Sequence, residues 1–394
     1  MLTLTDLKKK IYDEKILLNH TLKDIAKAVG ISNSSLTNFI NFIDDGTYKE
    51  SNFDTVLKLT LRYFSKKEDI IEIMKSYSIR VNRPANLKML LEYSDELQAY
   101  SFMYDLIRYC ENNKNQTLKS IAAVYELIYK RNTKSVKIEE LRDQVSILKN
   151  NDKNEATYLL LILESYIFYD LRDYQLLKHN LEILDKVLPQ DNDDYLSKSY
   201  NLRKNELKMR YLLSNNKLKE CREVANHIKN TSDNIRLIAH SLYTIGLSYI
   251  FESYMQCMDY FKRARELYSM IGHESSVKVI DLNSSLCKCI HNIKIDETVE
   301  IISELDKIYL YIKQNKDEKA QILLSKYVEC NSITDNELPF LLFLKGTLEK
   351  NKDVLWQSYV HYLQKGDLFF INFPIQELQK MGVDNLNLIR GTKK

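Results

Sequence analysis

Apolar and polar positions along the chain alternate with helical periodicity almost throughout, broken by short polar stretches. Residues 21–43 read TLKDIAKAVGISNSSLTNFINFI. Leu22, Ile25, Ala26 and Val29 recur at the spacing of one helical face. Gly30 follows, a turn position at which positive φ carries no Cβ penalty. Ser32 or Asn33 can cap the next helix, whose inner stripe is Leu36, Phe39, Ile40 and Ile43. Small Ala26 lets the two helices approach. The pattern predicts helix, tight turn, helix.

After Arg83-Pro84 the periodicity predicts helices over 87–110, 118–129, 156–170, 174–187, 196–213, 217–228, 235–251 and 255–270. The breaks are Asn112-Asn113, Asn150-Asn151, Asp191-Asn192, Asn215-Asn216 and Asn230. Helix pairs recur at roughly 34 to 40 residues, the period of tetratricopeptide-type repeats. Leu242, Ile245, Gly246 and Tyr249 fit the first helix of such a pair, and Phe261 and Ala264 the second. A degenerate copy starts at Leu344-Lys345-Gly346 and runs through Trp356 and Tyr359. Stacked pairs of this kind wind into a right-handed superhelix with a concave face suited to an extended peptide. The same periodicity also suits a helical scaffold that binds only other proteins. The fold class predicted is all-α: a helix-turn-helix domain with connecting helices over 1–83, a repeat domain over 84–373, and a capping or dimerisation segment over 374–394.

Composition sharpens this picture. The 394 residues include only 8 glycines and 4 prolines, where average usage gives roughly 28 and 20. Helix after helix with short connections is the architecture that needs so few turn-formers. The 27 tyrosines are packing material for stacked helices. With 57 basic and 54 acidic side chains, the net charge of +3 excludes a polybasic nucleic-acid coat. No run of about 18 apolar residues is present, so no membrane span is expected. The polar N-terminus lacks the apolar core of a signal peptide. The six scattered cysteines fit free thiols in a cytoplasmic protein.

The outer face of the second predicted helix carries Ser32, Asn33, Ser34, Thr37, Asn38 and Asn41. A recognition helix presents such residues to base edges: Asn can pair bidentately with adenine, and Ser or Thr serves base or phosphate. Lys23 and Lys27 project from the first helix toward where phosphates would lie. An ordinary helical hairpin with a polar face would look similar. Residues 1–43 hold six lysines against four acids, and Asp44 and Asp45 follow. One copy would therefore bind DNA weakly, which calls for a dimer on two half-sites. Cys287 and Cys289, two apart, fall on different sides of a helix, so no metal site is expected. No HExxH, GxSxG or phosphate-cradling glycine loop occurs, and neither enzyme activity nor a cofactor is expected.

Three segments carry a family resemblance: the helix-turn-helix at 22–41, IRLIAHSLYTIGLSYIFESY at 235–254, and FLKGTLEKNK with GDLFFINFPIQELQKMG within 343–382. In these the chain resembles the AimR family, arbitrium peptide receptors of temperate phages, within the wider group of peptide-controlled tetratricopeptide-repeat regulators. The resemblance implies a homodimer joined partly through its C-terminal helices. It implies that the peptide-free dimer binds operator DNA and activates a small regulatory gene, promoting lysis. A secreted hexapeptide, imported and bound in the superhelix, would release the DNA and lead to lysogeny.

The resemblance also implies residues. Arg236, ten before Gly246, matches the family arginine that holds the peptide's C-terminal carboxylate, a role that suits a guanidinium fork. Asp367, seven before Pro374, matches the acid that pairs with the peptide's basic residue. Where some members use asparagine toward the peptide backbone, this chain has Arg210, Ser214 and Leu247, a departure that implies a private signal. Tyr243 joins them as a peptide-binding candidate. Two rivals remain. One is a bacterial or mobile-element quorum-sensing regulator of the same repeat class. The other is a helical-repeat protein that inhibits a partner, such as a response-regulator phosphatase, for which an N-terminal helix-turn-helix is out of place. The C-terminal run containing Ile375, Leu378, Met381, Val383, Leu386, Leu388 and Ile389 is too apolar for a terminal repeat and is expected to be covered by a second subunit.

Overall fold

A computed structural model of the chain describes residues 2–44, 49–151, 156–188, 194–293 and 303–383. Every element among them is a helix: α1 (Leu4–Leu17), α2 (Leu22–Val29), α3 (Asn33–Asp44), α4 (Phe53–Tyr63), α5 (Lys67–Ser78), α6 (Pro84–Glu96), α7 (Tyr100–Glu111), α8 (Gln116–Thr133), α9 (Ile138–Asn151), α10 (Ala156–Asp170), α11 (Tyr174–Val187) and α12 (Tyr195–Ser214). There follow α13 (Leu218–Thr231), α14 (Ile235–Ser248), α15 (Tyr254–Met270), α16 (Glu274–Ile290), α17 (Glu304–Lys313), α18 (Asp317–Cys330), α19 (Leu338–Leu348), α20 (Lys352–Gln364) and α21 (Asn372–Lys380). Two compact units result, Met1–Leu171 with Glu182–Arg203, and Arg172–Leu181 with Lys204–Lys394. The division falls inside α11 and α12, so each of these helices contributes to both units.

Many helices end without glycine because other residues take the left-handed conformation that closes them. Asn19, Gln98, Lys134, Arg172, Asn216, Asn292, Asn315 and Lys350 all have φ between 45° and 60°. Asparagine tolerates this region best among side-chain-bearing residues. Gln98 also accounts for a difference from the sequence reading. The helix expected over 87–110 is two helices, because Gln98 at φ 51° turns the chain between α6 and α7.

In the first unit, α2 and α3 form the expected pair. Thr21 and Asp24 make a capping box at the start of α2, and Gly30 closes it at φ 72°. The Ile31 amide donates to Ala26 O at 3.0 Å, completing a Schellman turn. Ser32 caps α3, its Oγ accepting from Ser35 N at 3.0 Å. Ile25, Ala26, Leu36, Phe39 and Ile40 are buried, as is Phe42; Ile43, expected inside, is only half-buried. Helix α1 seats Leu4, Leu7 and Ile11 in this core. Its Glu14 accepts from Arg62 and from Tyr63 OH at 2.7 Å, and Arg62 holds the Glu14 carboxyl down at about 2.

Deeper in this unit a polar network crosses the core. Arg203 on α12 donates from Nε to Glu92 Oε1 at 2.7 Å and from Nη2 to Asp95 Oδ2 at 2.5 Å. Tyr125 OH donates to Glu92, and Asn132 Nδ2 to Asp95. Ser199 Oγ touches both Glu92 and Glu96. A hydroxyl has one proton to give, so one of these contacts requires a carboxylic acid. Burial and the Glu92 charge push Glu96 up to about 7, which favours the proton on Glu96.

In the second unit, glycines set helix approach. A Cβ at Gly246 would lie 2.7 Å from Phe261 Cδ1, and one at Gly346 would lie 2.8 Å from Leu355 Cγ. The pairs α14/α15 and α19/α20 are therefore close-packed at the residues the repeat pattern singled out. Further along, Phe251, Tyr309, Phe340, Phe343 and Phe373 interlock, with Phe343 and Phe373 centroids 5.0 Å apart. Asp306 is buried on α17, and burial pushes its carboxyl up to about 7. Trp356 on α20 is half-buried, its ring edge-on to Tyr359 at 5.2 Å.

The apolar C-terminal run needs a correction. Ile375 and Leu378 are 1% and 0% exposed within the chain's own core. Met381 and Val383 pack against that core as well. Ile375 and Leu378 are therefore internal and do not wait for a second subunit, whereas Met381 and Val383 are half-buried. Leu386, Leu388 and Ile389 lie outside the described residues, as do Asp45 and the break at Asp191-Asn192. Among the described residues no helix is long and apolar enough to cross a membrane.

Candidate functional site

The residues singled out for ligand binding gather on α12, α14 and the turn after α20, all within the second unit. Asn234 caps α14, its Oδ1 accepting from Arg236 N at 3.0 Å and Leu237 N at 3.3 Å. Arg236 thus stands in the first turn of α14. It faces Glu206, a residue the sequence reading did not select. Three nitrogens converge on one oxygen of that carboxylate: Arg210 Nη2 at 2.7 Å, His240 Nδ1 at 2.8 Å and Arg236 Nη1 at 3.7 Å. The Glu206 side chain is 1% exposed and that of Arg236 25%. Burial works against the Glu206 charge, but Arg210, Arg236 and His240 outweigh it and hold the carboxyl well below the usual range.

Burial, reinforced by Arg210, lowers His240 to about 4, so the imidazole is neutral near neutral pH. Its contact with a carboxylate then fixes the tautomer. Nδ1 carries the proton and donates to Glu206, which leaves Nε2 as an acceptor. The 3.3 Å approach of Arg210 Nη2 to the same Nδ1 is consequently a contact without a shared proton. Tyr243, one turn along, stacks between His240 at 6.3 Å and Phe261 at 5.6 Å and accepts from Asn283 Nδ2 at 3.0 Å. Leu247 is 7% exposed and belongs to the core around Phe261, so it offers little to a ligand.

Asp367 sits in the turn that Gly366 opens at φ 66°. Its Oδ1 accepts from Phe370 N at 3.1 Å. Burial pushes its carboxyl up, opposed by that hydrogen bond and by Arg172. The next amide, Leu368 N, donates to Ser214 O at 2.9 Å and anchors the turn to the end of α12. Eight residues of helix separate Glu206 from Ser214, a rise of roughly 12 Å. Six extended residues span roughly 20 Å. Arg236 and Asp367, far apart in sequence, are thus brought to opposite ends of one helical segment, Glu206 to Ser214, with Arg210 between.

The second candidate surface is the outer face of α2 and α3. Lys23, Lys27, Ser32, Asn33, Ser34 and Thr37 are exposed, and Asn38 and Asn41 half-buried. Three hydroxyls are already engaged: Ser32 Oγ as the cap, Ser34 Oγ in a 2.8 Å hydrogen bond with Ser32 Oγ, and Thr37 Oγ1, which donates to Asn33 O at 3.0 Å. Asp44 is paired with Lys8, which offsets its charge beside this face.

Signals for the missed residues were thin. Glu206 and Arg210 stand four apart with opposite charge, but so do Asp54 and Lys58, and Asp259 and Arg263, which are exposed surface pairs. Spacing alone does not separate a buried pair from a solvated one.

Comparison with known proteins agrees along nearly the whole chain. The AimR transcriptional regulator of Bacillus phage SPbeta is 25% identical over 387 residues, 95% of each protein. That of Bacillus phage phi3T is 23% identical over 382 residues, covering 94% of this chain and 97% of the relative. The solved structure of SeMet-phAimR superposes with a TM-score of 0.75 at 22% identity, over 98% of this chain and 100% of that one. The structure of phAimR-Ligand gives 0.68 at 22% identity, over 84% and 98%. Residues 70–380 match the family described as AimR transcriptional regulator-like. The chain belongs to that family, one of transcriptional regulators and not of enzymes.

Proposed function

We propose that this chain is a peptide-responsive regulator of lysis and lysogeny that works in the host cytoplasm. As a peptide-free homodimer it binds operator DNA through α3 and activates a downstream gene. A secreted peptide of about six residues, bound along α12, releases it. The observation that carries this reading is the pair of ends on α12. Arg236 at one end suits a terminal carboxylate, and Asp367 at the other suits a cationic side chain. A relative solved with a ligand, phAimR, supports a binding role for this fold. The capped α2–Gly30–α3 unit favours a DNA-binding regulator over a repeat protein that only inhibits a partner.

Two measurements test it. Spent medium passed over the immobilised protein should yield a single short peptide by mass. Duplex DNA from the gene's own upstream region should shift with dilute protein and be released by that peptide. Asn38→Ala or Asn41→Ala should remove preference for the operator, because base-edge contacts specify. Lys23→Ala or Lys27→Ala should weaken all duplexes and flatten the salt dependence. Asn variants that keep full operator preference would move the recognition face elsewhere.

A further inference from the structure

We infer that Glu206 is a built-in stand-in for a ligand's carboxylate, which faces the Arg210/Arg236 pair and restrains affinity for anionic ligand ends. The inference rests on the peptide-receptor reading above and adds the residue that regulates its site. It starts from the unequal distances around one oxygen. Arg210 and His240 hold Glu206 Oε1 at 2.7 and 2.8 Å, full hydrogen-bonding distance, whereas Arg236 stands at 3.7 Å. Arg210 shares α12 with Glu206 four residues away, so that pair is fixed by the helix itself. Arg236 comes from another helix and is more exposed than Glu206.

Charge adds a second argument. With His240 neutral, the Glu206 carboxylate faces the guanidinium groups of Arg210 and Arg236 beside the N-terminus of α14, whose dipole is also positive. An entering carboxylate is drawn to Arg236 by its guanidinium and by the helix dipole. It must also come near the Glu206 charge, at roughly 6 Å if it sits at hydrogen-bond distance from the guanidinium. Repulsion at that range in a partly buried site changes affinity on the order of tenfold or more. Glu206 therefore does two things. It orders Arg210 and His240, and it makes the ligand's end share Arg236 with a fixed negative charge. A neutral carboxamide end can still accept a hydrogen bond from Arg236, but it feels little of the Glu206 charge.

Glu206→Gln separates the two effects, because an amide oxygen keeps an acceptor for Arg210 and His240 but removes the charge. The first probe is N-acetylglycine, a minimal peptide end, against N-acetylglycinamide, with binding read by chemical-shift titration of the full chain. Glu206→Gln should bind the acid on the order of tenfold more tightly than wild type, with the amide unchanged. Adding Arg236→Ala should abolish that gain. Equal or weaker binding of the acid by Glu206→Gln would overturn the inference, as would an equal gain for the amide. The second probe is a set of hexapeptide pools made as free acids and as amides. Pools that bind wild type but show no acid-selective gain in Glu206→Gln would sink the role of Glu206 and leave the receptor reading intact. An acid-selective gain for N-acetylglycine with no pool binding wild type would do the opposite. If Glu206→Gln fails to fold, Glu206→Asp is the check. It keeps the charge on a shorter stem and should show no acid-selective gain, and such a gain would overturn the inference.

Discussion

At the scale of single residues, the ends of the α12 segment make separable predictions. Arg236→Ala should cost on the order of 2–4 kcal/mol of peptide affinity, since it strips the partner from a desolvated charge. Amidating the peptide should then harm wild type far more than it harms Arg236→Ala. Asp367→Ala should instead be indifferent to loss of the peptide's basic residue. Calorimetry over both cycles decides, because true partners couple and bystanders add. A different buried acid governs stability. Asp306 is pushed up to about 7, so it favours the fold while protonated. That contribution is full below its ordinary range and is lost as pH rises through about 7, and Glu96 acts in the same direction. Urea midpoints of wild type should fall between about pH 5 and about pH 8, and Asp306→Asn should flatten the fall. The variant should be more stable than wild type at about pH 8 by on the order of 2 kcal/mol. Equal slopes would mean the carboxyl ionises freely in the fold.

At the scale of elements, helix approach and helix closure respond differently to the same substitution. Gly246→Ala drives a methyl to 2.7 Å from Phe261 and 3.1 Å from Cys257 O. It should destabilise the protein by about 1–3 kcal/mol despite better helix propensity. Gly30→Ala meets open space and carries only the left-handed penalty, about 1 kcal/mol. Thermal melts that rank the two the other way would contradict the packing described for α14 and α15. These glycines were legible in the sequence because each interrupts an otherwise apolar period. The helices at 156–170 and 174–187 were legible from their apolar content and the polar breaks around them. The break at Gln98 was not, since nothing about glutamine marks a left-handed residue. Nor was the interior of α12, where Arg203, Lys204 and Glu206 are buried in a stretch that reads as solvated. Hydrophobic periodicity finds cores made of carbon and overlooks cores made of paired charges.

At the scale of the whole molecule, association and folding can be tested apart. Ile375 and Leu378 belong to the chain's own core, so removing residues 384–394 should leave the repeats intact. We expect that deletion to shift the protein toward monomer and weaken its hold on a two-half-site operator. An unchanged sedimentation profile would place the dimer contact elsewhere. The division between the two compact units cuts α11 and α12, so a fragment ending at Arg203 would lose half a helix. Neither half should melt alone as it does in the full chain. One feature of α20 makes such changes visible. Trp356 is the chain's single tryptophan, so all indole emission from the protein, whatever its state, originates at one ring on one helix. That ring is half open to water, where its excited state relaxes toward longer wavelengths. A neighbour laid over α20 would dry it and turn the emission bluer; contact anywhere else would leave its colour alone.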